Sequence, residues 1–117
     1  MRHKRYDCNP GCPVEACVEV TGGKWKGVIL FHLLGGTRRF NELMRMMPVV
    51  TQRMLARQLR ELEADGVVVR TVYPEVPPRV EYALTEFGQT LKPVLKTLQE
   101  WGVRHVQALT EIRAPEE

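Results

Sequence analysis

The segment from Arg38 to Tyr82, RRFNELMRMMPVVTQRMLARQLRELEADGVVVRTVYPEVPPRVEY, constrains the fold more than any other part of the chain. A short helical stretch, Phe40 to Met47, is broken by Pro48. A longer one opens at Thr51, whose hydroxyl suits a helix N-cap, and closes near Asp65 before Gly66. Two Val- and Tyr-rich runs, Val67 to Tyr73 and Arg79 to Leu84, read as strands on either side of Pro74-Glu75-Val76-Pro77-Pro78. So many prolines exclude a tight two-residue turn, so the hairpin loop is expected to protrude. Helix, turn, helix and hairpin in this order is how a small fold offers a helix to the major groove of DNA.

The flanks extend this pattern. Pro13 to Thr21 predicts a first helix, with Pro at its first position and Gly22-Gly23 at its end. Lys24 to Leu34 predicts a second, nearly all buried, with Trp25, Val28, Ile29, His32 and Leu33 on one stripe and Gly35-Gly36 as its stop. Thr37 is placed to cap the third helix. Thr85 is expected to cap a last helix reaching at least His105, kinked at Pro93, with Leu91, Leu95, Leu98, Gly102, His105 and Leu109 on a stripe beside Trp101. The fold class is therefore mainly α with a small β-hairpin wing (α+β): a winged helix-turn-helix with an extra helix at each end. One domain over 12–110 is expected, with a flexible tail at 1–11 and a disordered one at 111–117.

At 117 residues, 44% apolar and 26% charged, the composition is that of a globular protein. No apolar run nears the roughly 20 residues that span a bilayer. The basic start, MRHKRYDCNPGCP, lacks the apolar region of a secretory signal, and a cytoplasmic location is expected. The net charge of +3 says little, but its placement says more. Between Arg38 and Arg60 stand six Arg and one acid, Glu42, a local excess of +5.

At about 100° per residue, Arg53, Arg57 and Arg60 fall within roughly 60° of one another, and Leu55, Leu59 and Leu62 lie opposite. The leucines would anchor the helix against Val28, Ile29 and Leu43. Gln52, Arg53 and Arg57 are the candidates for base edges, because Gln matches adenine and Arg matches guanine with two hydrogen bonds each. Thr51, with the helix N-terminus, suits a phosphate. Arg38, Arg39 and Lys24 are further phosphate candidates, as is Arg60 unless it pairs with Glu63. Arg39 has an equal claim to pair with Glu42 inside the fold. Arg79, at the hairpin loop, would enter a minor groove, opposed by Glu75.

The motifs CPVEA (12–16), GGKWKGVILFHLL (22–34), RRFNEL (38–43), TQRMLARQLRELEADGVVVR (51–70) and PEVPPRVEYALTEFG (74–88) resemble the HxlR-type family of bacterial winged-helix transcriptional regulators, which are MarR-like. The resemblance runs from about Cys12 to Trp101. It implies a homodimer on pseudo-palindromic double-stranded DNA, joined through the first and last helices, with repression the common outcome. The apolar stripe of the last helix agrees, since Leu91, Leu95, Leu98, Trp101 and His105 ask for a partner surface. The family's Cys-Pro falls on Cys12-Pro13, which implies sensing of oxidants or electrophiles by Cys12.

Position alone places Cys12 at a helix N-cap, where the thiolate is favoured, although Glu15 opposes it. Cys8 is a candidate resolving thiol, and Cys17 falls on the first helix. The plainer alternative is three passive reduced thiols. Cys8, Cys12 and Cys17 with His3 lack the close Cys pair of a structural zinc site, so no metal and no cofactor is expected. His32 reads as a packed histidine. No nucleophile elbow, phosphate loop or acid pair suggests an enzyme. Two alternatives stand beside the thiol switch: a small aromatic effector in a pocket lined by Trp25, Trp101 and methionines, or a winged helix used for protein contact.

Overall fold

The computed structural model describes residues 10–114. The elements run α1 (Cys12–Thr21), α2 (Lys26–Leu34), β1 (Arg38–Arg39), α3 (Phe40–Met46), α4 (Gln52–Ala64), β2 (Val68–Tyr73), β3 (Arg79–Leu84), α5 (Glu86–Gln89) and α6 (Lys92–Arg113). β2 and β3 form the antiparallel hairpin, with Val68 opposite Leu84 and Tyr73 opposite Arg79. The two-residue β1, not foreseen in the sequence, pairs on the other side of β3, Arg38 opposite Tyr82 and Arg39 opposite Glu81. It ties the start of α3 to the wing.

The core is one cluster: Ile29, Leu30 and Leu33 of α2, Leu43 of α3, Leu55, Leu59 and Leu62 of α4, then Val67, Val68, Tyr82 and Leu95. The α4 leucines are buried, as their spacing predicts. In α2 the buried row is Lys26, Ile29, Leu30 and Leu33, one position round from the expected stripe. Val28 is exposed, so it does not anchor α4, and α2 is not buried all round. A lysine at the head of the i, i+3, i+4, i+7 row had concealed it.

Thr51 caps α4 as expected, its hydroxyl oxygen accepting from the Met54 N–H at 3.1 Å. Thr37 does not cap α3. Arg39 occupies that position, and its N–H donates to the Glu42 carboxylate at 2.9 Å. The last helix is also divided differently. Thr85 caps only the short α5, accepting from the Gly88 N–H at 2.9 Å and donating to the Gly66 carbonyl at 2.6 Å. Pro93 lies in the first turn of a new helix, where its missing N–H costs nothing, so it starts α6 and does not kink it. α6 continues to Arg113, so 111–113 are helical and not part of a tail.

Candidate nucleic-acid interface

α4 separates its leucines from its arginines. Leu55, Leu59 and Leu62 are within 1% of full burial, whereas Gln52, Arg53, Arg57 and Arg60 are exposed. Burying the leucines fixes the helix roll, and the roll sends the arginines outward. The Met54 N–H is taken by the Thr51 cap, but the Gln52 and Arg53 N–H groups ahead of it have no partner within the helix, so they, the Thr51 hydroxyl proton and the Gln52 and Arg53 side chains form an exposed donor-rich end suited to a phosphate and adjacent bases. Arg53 and Arg60 make no ion pair among the described residues, so the alternative Arg60–Glu63 pair does not form. Arg57 has a loose tie to Glu61 at 3.8 Å and stays 75% exposed.

Beneath this face lies a contact the sequence reading missed. The Lys26 ammonium, almost fully buried, donates to Glu61 at 2.9 Å and so joins the start of α2 to the last turn of α4. Glu61 thus holds Lys26 on one oxygen and faces Arg57 with the other. A charged residue at an apolar-row position was the available signal, because a buried lysine needs an acid within reach.

The other basic candidates divide. Adjacent residues of a strand point to opposite faces, and β1 sends its two arginines to different places. Arg39 is exposed beside a groove of about 650 Å³ between α3 and the wing, which also holds Arg45. Its guanidinium does not pair with Glu42; only its backbone does. Arg38 turns the other way, its Nε donating to the His32 carbonyl at 3.4 Å. Lys24 precedes α2, with its ammonium 5.2 Å from the Trp25 ring centre, beside a cavity next to α6 and apart from the α4 arginines. Arg79 is not a free cation. It lies 4.0 Å over the Tyr73 ring and pairs with Glu75 at 3.3 Å and Glu81 at 3.6 Å, so its charge is already matched within the wing.

Of the expected dimer residues, Leu95 is buried and Leu91 packs on the core, so both are used within the chain. Leu98 and Trp101 are exposed, and Trp101 stacks on His105 at 4.6 Å between ring centres. Val103, Val106 and Ile112 of α6 and Val14 and Val18 of α1 add exposed apolar surface that the stripe did not include.

Cys12 is the first residue of α1, not its cap, which is Gly11; it is fully buried and disulfide-bonded. Cys17 is a half-buried free thiol. Cys8 and His3 lie outside the described residues. The cavity of about 390 Å³ between α2 and α6 is lined by Val28, Phe31, His32, Leu95 and Leu98 among others, and not by Trp25, Trp101 or methionines. Burial and the neighbouring Arg38 hold the His32 imidazole below its ordinary 6.5.

A helix-turn-helix whose second helix presents polar and basic side chains, followed by a β-hairpin wing, defines a winged-helix DNA-binding regulator. Residues 20–110 match the HxlR-like helix-turn-helix family, and the chain belongs to it. It is 53% identical over 109 residues to YybR of Bacillus subtilis (strain 168), an uncharacterized HTH-type transcriptional regulator, covering 93% of this chain and 87% of that one. Among solved structures, the redox regulator HypR in its reduced form superimposes with a TM-score of 0.80 at 55% identity, covering 85% of this chain and 98% of that one. Its oxidized form gives 0.77 at 58%, covering 80% and 96%. The reduced form of the transcriptional regulator YodB from B. subtilis gives 0.70 at 34%, covering 94% and 99%. The chain is accordingly a transcriptional regulator and not an enzyme. No helix among the described residues is long and apolar enough to cross a membrane.

Proposed function

We propose that the chain acts in the cytoplasm as a homodimeric repressor of pseudo-palindromic operators, with α4 of each protomer in successive major grooves about 34 Å apart. The observation that carries this reading is the exposure of Gln52, Arg53, Arg57 and Arg60 on the face of α4 opposite three buried leucines. Gln52, Arg53 and Arg57 read bases; Thr51, Arg39 and Arg60 hold phosphates. The dimer forms through the exposed apolar surface of α1 and α6.

In the same proposal Cys12 is the sensor. Oxidation joins the Cys12 thiol to a second thiol, for which Cys8 is the candidate, as a disulfide, with the two protons and two electrons passing to an oxidant such as diamide, and so alters α1 and through it the dimer. The disulfide-bonded state of Cys12 supports this, as does the existence of HypR in oxidized and reduced forms. The test is selection of genomic fragments by the purified protein, reduced and diamide-treated in parallel. Palindromic sites enriched from the reduced protein and lost on oxidation, with the loss abolished in Cys12→Ser, are the expected result. Enrichment unaffected by diamide ends the thiol reading and keeps the regulator; no enrichment in either state ends both.

A further inference from the structure

Glu61 stands at the border of the α4 arginine face, and its two oxygens face different cations. Oε1 accepts from the Lys26 ammonium at 2.9 Å, and Oε2 lies 3.8 Å from Nε of Arg57. The three side chains grade from core to water: Lys26 is almost buried, Glu61 partly exposed and Arg57 largely exposed. Neither Lys26 nor Arg57 pairs with another acid among the described residues. A carboxylate beside a DNA-facing surface repels phosphates, so its presence next to Arg57 calls for a reason.

Stability does not supply one. Lys26 heads a row otherwise filled by Ile29, Leu30 and Leu33, where a methionine would occupy similar space without desolvating an ammonium. Apolar replacements of buried ion pairs are often as stable or more so, and the best-attested use of such pairs is to fix one arrangement among several. Arg57 and Glu61 would not hold each other unaided either. They are an i, i+4 pair in the weaker order, cation first, and exposed pairs of this kind contribute little. Lys26 settles the carboxylate: reaching across from the start of α2, it takes one oxygen and leaves the other turned toward Arg57.

The side of Arg57 that is met decides what it can do. Nε is the inner nitrogen of the guanidinium, and a carboxylate there leaves the two terminal nitrogens for other acceptors. Such nitrogens match O6 and N7 of guanine. A guanine edge is uncharged and meets no penalty from Glu61. A backbone phosphate drawn to the same arginine would lie close to a fixed negative charge.

We infer that Glu61 is a positioning residue for base reading. Anchored by Lys26, it braces Arg57 with the terminal nitrogens outward and turns it away from phosphates, so that a side chain at the margin sets the preference of one within the reading face. This role rests on Arg57 as a base contact.

Selection from a randomised duplex library by wild type, Arg53→Ala, Arg57→Ala, Glu61→Gln and Lys26→Met/Glu61→Gln tests it, followed by anisotropy on the enriched site and on random duplex. Wild type should enrich a site with a guanine that Arg57→Ala no longer distinguishes. Gln at 61 can still accept from Lys26 through its amide oxygen but carries no charge to brace Arg57. Glu61→Gln should therefore reduce discrimination at that same guanine about three- to tenfold, leave the position relaxed by Arg53→Ala untouched, and bind random duplex about two- to threefold more tightly. The gain on random DNA is the signature, since a merely destabilised protein loses affinity for every sequence. Lys26→Met/Glu61→Gln leaves no ammonium unpaired and should show the same two changes with a Tm near that of wild type. Unchanged discrimination in Glu61→Gln, equal relaxation at every position, or a loss confined to Tm would overturn the positioning role and leave Arg57 as a reader. An Arg57→Ala site identical to that of wild type, or no enriched site at all, would remove the base contact and the positioning role with it.

Discussion

Arg53 and Arg60 project from one helix face, yet in the proposed complex their distances from the helix N-terminus would give them different work. Arg53→Ala should weaken operator binding by about 1–3 kcal/mol and blur base preference, because a bidentate contact to guanine is lost. Arg60→Ala should weaken operator and random DNA alike and reduce the slope of log K against log salt by about 0.9, the value for one phosphate. Fluorescence anisotropy across a salt series on both DNAs separates the two; equal losses on both DNAs for Arg53→Ala contradict base reading. His32 gives a residue-scale prediction about stability. The fold keeps its imidazole neutral, so the unfolded chain takes up a proton first as the pH falls. The His32 contribution is therefore intact above pH 6.5 and lost below it, and urea titrations of His32→Gln should show a flatter acid limb. The basic face of α4 was legible in the sequence because three arginines at i, i+4 and i+7 opposite leucines leave little choice of roll. The positions of Arg38 and Arg79 were not legible. Each is fixed by a partner distant in kind: a helix-end carbonyl for one, a tyrosine ring and two carboxylates for the other.

Among the elements, α4 is held by leucines beneath and by Lys26 from the side. Leu59→Ala should cost about 2–5 kcal/mol, as for other fully buried leucines. Glu61→Gln should cost about 1–3 kcal/mol, because the Lys26 ammonium left without its carboxylate is only 9% exposed, although the amide oxygen can still accept from it. Since Glu61 also faces Arg57, the same change should alter DNA affinity beyond its effect on stability, which denaturation and anisotropy on one sample would distinguish. At the other end of the hairpin, Gly88 packs directly on the Val67 carbonyl, so that a Cβ there would overlap the backbone. Gly88→Ala should therefore lower Tm, because neither the strand start nor α5 can yield without breaking the Thr85 bonds. Most elements were readable from capping residues and periodicity. The break between α5 and α6 was not, since the same proline is compatible with a kink or a fresh start and packing around Gly88 selects between them.

For the whole molecule, the telling feature is that only Leu95 of the 22 residues of α6 is buried. A helix about 33 Å long does not remain in water with Leu98, Trp101, Val106 and Ile112 uncovered unless another surface meets it. Leu98→Glu/Val106→Glu should leave the chain folded but monomeric in sedimentation, and weaken operator binding far more than random-DNA binding, because only the paired operator gains from two linked heads. A second copy sedimenting unchanged would remove α6 from the interface. The exposed stripe at Leu98 and Trp101 was legible in the sequence; that Leu91 and Leu95 belong to the chain's own core was not, since one period serves both purposes. The slender attachment of α6 makes reading head and spacer separable parts. In the proposed dimer, the α2–α4 body with its wing would determine which bases are recognised, while α6 would determine how far apart two such bodies are held. Grafting a different α6 beyond Leu95 would then produce regulators that recognise the same half-sites at a new separation, a modularity through which related chains can diverge in the promoters they serve without altering a single base-reading residue.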